Sequence, residues 1–231
     1  MTTLTPASAP RLVVDTGVYA PQHDSYLLIE TANRLDLTGR ATAVDVCTGS
    51  GVVAIALARA GIHQVTAWDV CPRAVRCARA NAAAAGVTVD VRLGSFTQVK
   101  SEGPCDLVVS NPPYVPTPRH EHGKAMVAPE GPSWAWNAGE DGRLILDPLC
   151  HIAAGLLAPG GTFLLAQSEF SGIDQTLTAL RASGLVADVA ASQHISFGPV
   201  LMARASWLER RGKLEPGRRE EELVIIRADK P

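Results

Sequence analysis

The sequence lacks several features that would assign it at once to a broad class of protein. It has no apolar run approaching the roughly 18 residues that a membrane span requires, so no membrane partner is expected. Residues 1–10 have neither the basic region nor the apolar core of a secretory signal. Charge of one sign is not in excess, because 21 Lys and Arg face 23 Asp and Glu, for a net charge of −2. No strong overall field would therefore hold the protein on nucleic acid or on a membrane surface.

Cysteine and histidine are present, but not in the patterns of a disulfide framework or a metal site. The five cysteines are scattered, odd in number and include no Cys-x-x-Cys pair. His120 and His122 lie in a loop rich in proline and glycine, with no third ligand at metal spacing. We therefore expect solvated loop histidines, no metal, and a reducing cytoplasm as the location.

Short apolar segments alternate with helical patterns along most of the chain. Strands are predicted at 43–47, 64–68, 87–93, 106–110, 162–166, 186–191 and 223–227. This alternation is typical of an α/β protein with a Rossmann-like, doubly wound and mostly parallel sheet. A first helix is predicted to begin near Asp24, which is expected to be its N-cap. Residues 1–16 are expected to form a flexible N-terminal arm, and 17–231 a single domain.

A glycine-rich turn follows the first predicted strand and is the first candidate binding feature. Gly49 and Gly51 allow a ligand to approach the backbone closely, and the next helix offers free N–H groups. Asp69 ends the second strand, where a carboxylate can accept hydrogen bonds from ribose hydroxyls. NAD and S-adenosylmethionine both fit, and a tight turn without a ligand is the plainer alternative. Asp45 favours S-adenosylmethionine, because a carboxylate there can face an ammonium group but would repel a pyrophosphate. Cys47 stands where such turns usually carry glycine.

The tetrapeptide Asn111-Pro112-Pro113-Tyr114 follows the fourth predicted strand and is the most specific feature of the chain. Two successive prolines remove two backbone donors and fix φ. We expect the Asn111 side-chain oxygen and the Pro112 carbonyl each to accept one hydrogen of a planar –NH₂ group, with Tyr114 packing against that group. This would direct the nitrogen at an electrophilic methyl group and stabilise its developing positive charge. A proline-rich strand end without a ligand is the alternative.

Together these motifs resemble the class I S-adenosylmethionine-dependent methyltransferases that modify planar amino nitrogens. Residues 17–25 are similar to the Tyr-x-Pro-x-x-Asp-Thr/Ser motif of the short HemK-type branch, and 136–143 to its Gly-x-x-Gly-Arg segment. The resemblance covers about 17–228 and implies a seven-stranded sheet with an antiparallel last strand. It also implies that the methyl acceptor is the glutamine in the Gly-Gly-Gln loop of a peptide-release factor.

The same resemblance implies roles for individual residues. Asn111 and Pro112 would hold the glutamine amide, and Tyr114 would flank it. The implied cofactor-binding residues are Tyr19, Pro21, Asp24, Asp45, Cys47, Gly49, Gly51, Asp69, Ser95 and Asn111. Ser95 stands where an aspartate often contacts the adenine amine. Some short relatives of this branch also need a small activating partner protein.

Three other functions fit parts of the pattern. An adenine- or cytosine-directed nucleic-acid methyltransferase is disfavoured by the negative net charge and by the lack of an appended recognition domain. A small-molecule N-methyltransferase with a specialised loop is a second alternative. An NAD(P)-binding oxidoreductase would leave the Asn-Pro-Pro-Tyr element unexplained and would lack a catalytic Tyr–Lys or His pair.

Two further groups of residues are assigned no catalytic role. The basic residues between Arg204 and Arg219 are interleaved with glutamates, which predicts a solvated, ion-paired surface. Trp134 and Trp136 are expected either to border the substrate site or to anchor the loop that carries them.

Overall fold

A computed structural model describes residues 12–37, 41–121, 127–128 and 131–231. Most of the predicted N-terminal arm, residues 1–11, lies outside the described residues. In the described part of the arm, the Val13 N–H donates to the Asn81 side-chain oxygen at 3.1 Å.

Seven strands form the main sheet. They are β1 Thr42–Val46, β2 Gln64–Asp69, β3 Asp90–Leu93, β4 Cys105–Ser110, β5 Leu157–Ser168, β6 Val186–Ser196 and β7 Glu220–Asp229. Their order is β3-β2-β1-β4-β5-β7-β6, and β1 to β5 pair in parallel. The last strand, β7, lies between β5 and β6 and is antiparallel to both. The predicted doubly wound, mostly parallel sheet with an antiparallel last strand is confirmed.

Among the described residues, one helix precedes β1 and the others lie between strands along the chain. They are α1 His23–Asn33, α2 Val52–Arg59, α3 Pro72–Ala84, α4 Leu146–Leu156, α5 Ile173–Ala182 and α6 Pro199–Arg210. Short 3-10 turns lie at Phe96–Glu102, Arg119–Glu121, Ser133–Ala135 and Glu169–Ser171, and Val127–Ala128 pairs with Gly131–Pro132. The central strands are buried on both faces, as expected for a parallel sheet covered by helices on both sides. No described helix is long and apolar enough to cross a membrane.

Four strands differ from their predicted bounds by more than one residue, and one of them, β7, extends beyond its predicted bounds at both ends. β3 begins later than predicted because the Val87 N–H closes the last turn of α3 by donating to the Ala82 carbonyl. β5 begins earlier, at Leu157, because Gly160 and Gly161 exchange backbone hydrogen bonds with Lys230 beyond β7. β6 extends to Ser196 as an edge strand with mostly exposed side chains, so it has little apolar pattern to predict it.

α1 begins one residue before the predicted N-cap. Gln22 is the N-cap, and Asp24 lies in the first turn, buried. Asp24 is not the N-cap because its carboxylate accepts hydrogen bonds from the hydroxyl groups of Tyr19 and Tyr114, which lie outside the helix.

Candidate functional site

A cavity of about 390 Å³ opens at the carboxyl ends of the parallel strands. This volume is in the range of small-ligand sites, and parallel sheets place such sites at this edge. Seven of the predicted site residues line it: Tyr19, Pro21, Asp45, Cys47, Gly49, Asp69 and Asn111. Five of them do not: Asp24, Gly51, Ser95, Pro112 and Tyr114.

The glycine turn joins β1 to α2 in a left-handed backbone conformation. Cys47, Gly49 and Gly51 have φ of 63°, 55° and 83°. Cys47 is the one non-glycine residue with positive φ in the described chain, which explains why glycine is usual at its position. A Cβ on Gly49 would meet nothing within 4 Å, so this glycine leaves space at the cavity wall.

Gly51 has a packing role that differs from its predicted contact with a cofactor. A Cβ at Gly51 would lie 3.1 Å from the Cα of Ala78 in α3 and 3.0 Å from its Cβ. The absence of a side chain at Gly51 therefore lets α2 pack closely against α3 beneath the turn.

Asp45 is the most deeply buried carboxylate of the cavity wall. Its Oδ2 accepts hydrogen bonds from the Thr48 hydroxyl at 2.6 Å and from the Ala54 N–H at 3.2 Å. Burial raises the pKa of Asp45 to about 7, and the nearby charge of Asp69 adds to this rise. A cation at this wall would favour the ionised form of Asp45.

Asp69 links the end of β2 to the glycine turn. Its Oδ2 accepts a hydrogen bond from the Gly49 N–H, and its Oδ1 accepts one from the Cys71 N–H, both at 2.9 Å. Burial raises the pKa of Asp69, while these backbone donors lower it. The side chain also lines the cavity, so the carboxylate both holds the turn and faces a ligand.

The Asn111 amide has a fixed orientation. Its Nδ2 donates to the Ser25 Oγ at 3.2 Å, and the Ser25 hydroxyl donates to the Asp24 Oδ1 at 3.2 Å. Because the hydroxyl gives its hydrogen to Asp24, Ser25 is left as an acceptor, which selects Nδ2 rather than Oδ1 of Asn111. Within the described residues Oδ1 has no hydrogen-bond partner, and Asn111 lines the cavity.

Asp24 and Tyr114 support this arrangement from behind the cavity wall. The Asp24 Oδ2 accepts hydrogen bonds from the Tyr114 hydroxyl at 2.9 Å and from the Tyr19 hydroxyl at 3.1 Å. Tyr114 is buried, and both burial and the charge of Asp24 raise its pKa. The structure places the Tyr114 side chain in the core, where its hydroxyl holds Asp24, and its contact with a flat substrate stays a prediction.

Ser95 caps a 3-10 turn and does not face the cavity. Its side chain accepts a hydrogen bond from the Thr97 N–H at 3.3 Å, and its N–H donates to the Gln98 side chain at 2.9 Å. This reciprocal pair is a capping box, which takes up the Ser95 hydroxyl at the position where an aspartate often contacts the adenine amine. Its neighbours Gly94 and Phe96 line the cavity instead.

Several lining residues were not predicted. Trp68, Val70 and Phe96 form an apolar part of the wall around Asp69. Trp68 and Val70 flank Asp69 in sequence, so the usual placement of ligands at the ends of parallel strands could have indicated them. The Trp68 Nε1 is buried and has no hydrogen-bond partner within the described residues.

The segment after the Asn-Pro-Pro-Tyr element forms the opposite wall. Trp134 lines the cavity and is 47% exposed, whereas Trp136 is 7% exposed and anchors the segment. Each of the two predicted tryptophan roles is therefore filled by one residue. Arg143 is buried and donates to the Gly172 carbonyl at 3.0 Å and, with a short contact, to the Ser171 carbonyl at 2.5 Å.

Arg204 corrects the prediction of a solvated basic surface. It is 5% exposed, and its guanidinium donates to the Glu121 carboxylate and to the Asn137 side-chain oxygen. Arg210 and Arg211 are exposed, as predicted. The side chain of His120 and the whole of His122 lie outside the described residues. The described residues contain no group of three or more His, Cys, Asp or Glu placed to hold a metal ion.

The sequence matches the family model described as the methyltransferase small domain over residues 11–128. The chain belongs to this methyltransferase family. It is 39% identical to a release factor glutamine methyltransferase of Deinococcus radiodurans, over 78% of this chain and 64% of that protein. It is 32% identical to the methyltransferase HEMK2 of Mus musculus, over 73% of this chain and 79% of that protein. This membership favours methyl transfer over the oxidoreductase alternative.

Solved structures of other methyltransferases share the fold of this enzyme. A structure described as the E. cuniculi Mtq2–Trm112 complex, which methylates the eRF1 translation termination factor, has a TM-score of 0.60 at 19% identity and covers 93% of this chain and 99% of that one. A T. thermophilus 16S rRNA methyltransferase in complex with AdoMet and guanosine has a TM-score of 0.55 at 19% identity, over 92% of this chain and 44% of that one. Methyltransferases of this fold thus use S-adenosylmethionine.

Proposed function

We propose that this methyltransferase transfers a methyl group from S-adenosylmethionine to the side-chain nitrogen of a glutamine in the Gly-Gly-Gln loop of a release-factor-like protein. The observation that carries the proposal is the orientation of Asn111, whose amide nitrogen is held by Ser25 so that its oxygen is left for a ligand. The relatives named release factor glutamine methyltransferases support the choice of acceptor.

The cavity wall has groups that match each part of S-adenosylmethionine. Asp45 would face the ammonium group of the methionine part, and Asp69 would accept hydrogen bonds from the ribose hydroxyls. Phe96 and Val70 offer apolar surface to a flat adenine ring. Gly49 leaves room for close approach at the start of α2. When bound, the cofactor supplies an electrophilic methyl group on a sulfonium sulfur.

Cys47 lies in the same wall and would compete for that methyl group if it were a thiolate. Burial raises its pKa well above the usual range, and the charges of Asp69 and Asp45 raise it further. The thiolate is the nucleophilic form of cysteine. Cys47 therefore stays protonated, which protects it from methylation.

The acceptor is held by residues that follow β4. An amide nitrogen is a poor nucleophile because its lone pair is delocalised into the carbonyl group. The Asn111 Oδ1 would accept one of its hydrogens. The Pro112 carbonyl does not belong to a lining residue but adjoins Pro113, which lines the cavity, and it is the proposed acceptor of the other hydrogen. The two hydrogen bonds would fix the nitrogen in line with the methyl group. Both hydrogen bonds strengthen as positive charge develops on the nitrogen, so they favour the transition state over the bound substrate.

A small activating partner protein is a further part of the proposal. The E. cuniculi structure, which shares this fold, is a complex of two proteins, Mtq2 and Trm112. If the purified chain alone methylates its substrate as fast as it does with a partner protein present, the partner is removed from the proposal.

The acceptor is tested with labelled S-adenosylmethionine and three kinds of substrate. We expect label on an intact release factor that carries the Gly-Gly-Gln loop, and none on a matched factor whose loop glutamine is changed to glutamate. Single-stranded oligonucleotides that contain adenine and cytosine form the third arm. Label on the oligonucleotides and none on the release factor would replace this proposal with the nucleic-acid alternative.

A further inference from the structure

Asn137 lies beside the Asn-Pro-Pro-Tyr element although it is distant in sequence. The Val115 N–H donates to the Trp136 carbonyl at 2.8 Å, and the Ala138 N–H donates to the Val115 carbonyl at 3.1 Å. These two bonds join Asn137 to Val115 in a parallel bridge. Asn137 and Asn111 line the same cavity.

Arg204 fixes the orientation of the Asn137 amide. Its guanidinium donates to the Asn137 Oδ1 at 2.6 Å, to the Glu121 carboxylate at 2.8 Å and to the Pro116 carbonyl at 3.1 Å. A guanidinium has donors and no acceptor, so it must bind the oxygen of the amide and not its nitrogen. Within the described residues the Asn137 Nδ2 has no hydrogen-bond partner, and it is not sealed from solvent.

The residues that line the cavity therefore include two asparagines whose amides are held in opposite orientations. Asn111 gives its nitrogen to Ser25 and leaves an oxygen as an acceptor, whereas Asn137 gives its oxygen to Arg204 and leaves an N–H donor. The first orientation is set by Ser25, which itself lines the cavity, and the second by Arg204, which does not. A ligand that satisfies both amides must itself present a donor and an acceptor.

We propose that Asn137 binds the carbonyl oxygen of the substrate carboxamide through its Nδ2, and that Arg204 is the positioning residue for this contact. This inference rests on the proposed function, and it deepens the account of how the acceptor is chosen. Asn111 would bind the –NH₂ half of the carboxamide and Asn137 the C=O half. A lysine-like amine lacks the carbonyl oxygen for Asn137, and a carboxylate lacks the hydrogens for Asn111.

The contact is tested by a double-mutant cycle, which combines one change in the enzyme with one change in a peptide substrate. Ornithine has the side-chain length of glutamine and a terminal nitrogen, but no carbonyl oxygen. Binding of a Gly-Gly-Gln peptide and of its ornithine counterpart is measured by calorimetry with S-adenosylhomocysteine present. We expect Asn137→Ala to weaken the binding of the glutamine peptide about tenfold, as for the loss of one hydrogen bond. The affinity for the ornithine peptide should not change. Equal weakening of both peptides, or of neither, would overturn the inference.

Kinetics of two further variants separate this role from a structural one. Asn137→Asp keeps the contact with Arg204 but presents an oxygen in place of the N–H, so KM for the release factor should rise while cofactor affinity stays the same. Arg204→Lys keeps the charge but loses the planar set of donors, and should raise KM in the same way.

Arg119→Gln is the matched control, because Arg119 lies on the same loop, is 83% exposed and pairs with Glu140. It should leave KM unchanged. If the wild-type enzyme methylates glutamine and Asn137→Asp does so with the same KM, the inference fails and the proposed function stands. If the wild-type enzyme methylates no glutamine, the proposed function fails first.

Discussion

The carboxyl group of Asp45 is buried at the end of β1, where its pKa is about 7. Below this pH the free enzyme holds Asp45 mostly as the neutral acid, which pairs weakly with an ammonium group. An α-amino group has a pKa of about 7.7–8.0, so most of it still carries its charge at pH 7. Cofactor affinity should therefore increase as the pH rises from 6 to 7.5.

Asp45→Asn tests this expectation, because asparagine has nearly the same shape and does not titrate in this range. Calorimetric titration with S-adenosylmethionine should give weak binding with little pH dependence between pH 6 and 7.5. An unchanged pH slope in the variant would show that another group is responsible.

Glu221 on β7 is a second buried carboxyl group, and it has a consequence for stability. It is 6% exposed, and its Oε2 has no hydrogen-bond partner within the described residues. Burial raises its pKa from 4.5 to about 7, and the charges of Asp24 and Glu169 add to the rise. A folded-state pKa above the unfolded value favours the neutral acid in the folded protein. Glu221 therefore lowers the free energy of unfolding progressively as the pH rises from about 4.5 to 7.

Glu221→Gln should remove this cost at high pH. At pH 8.5 the variant should be more stable than the wild-type protein by up to roughly 3 kcal/mol, since each pKa unit corresponds to about 1.4 kcal/mol. At pH 4.5 the two proteins should differ little. Urea unfolding at both pH values measures the difference. Glu220→Gln, an exposed neighbour on the same strand, is the control and should show no such pH dependence.

Single residues were predictable from sequence where the local motif determines their position. Asp45, Gly49 and Asp69 line the cavity because each lies near the carboxyl end of a parallel strand or in the turn that follows it, and their contacts with a cofactor stay predictions. Asn137 was missed because its orientation depends on Arg204, 67 residues away. Arg204 itself was misassigned because the surrounding glutamates gave it the pattern of a solvated residue.

The contact between α2 and α3 gives an expectation at the scale of elements. Gly51 and Gly61 both have positive φ, at 83° and 98°, so an alanine at either position strains the backbone by about 1–2 kcal/mol. A Cβ added at Gly51 would also lie 3.1 Å from the Cα of Ala78, whereas a Cβ added at Gly61 would meet nothing within 4 Å. The two glycines flank α2 and form a matched pair.

Gly51→Ala should therefore lower the free energy of unfolding by about 1–3 kcal/mol more than Gly61→Ala, the usual cost of overpacking. Urea unfolding of both variants measures this difference. Equal losses would mean that α3 moves away from the added methyl group without cost.

Elements were predictable where burial gives a strong pattern. β1, β2 and β4 match their predicted bounds within one residue, because these strands are apolar and buried. β6 was predicted too short because its exposed edge position leaves no apolar alternation. The pairing of Gly160 and Gly161 with Lys230 depends on β7, which comes about 70 residues later, and no local pattern indicates it.

At the scale of the whole molecule, the parallel sheet brings four separate segments to one edge. The turn after β1, the end of β2, the loop after β3 and the element after β4 all contribute to one cavity. α1 contributes Ser25 from outside the sheet and thereby fixes Asn111. The fold thus brings Asp45, Asp69 and Asn111, which follow three different strands, to the lining of one cavity.

The rate of methyl transfer by Asn111→Ala at saturating cofactor tests the central claim most directly. Single-turnover transfer to a Gly-Gly-Gln release factor should be abolished or reduced by at least about a hundredfold, in line with the loss of a transition-state hydrogen bond. The affinity for S-adenosylmethionine, measured on the same preparation, should stay near the wild-type value. Transfer at the wild-type rate by this variant would contradict the account.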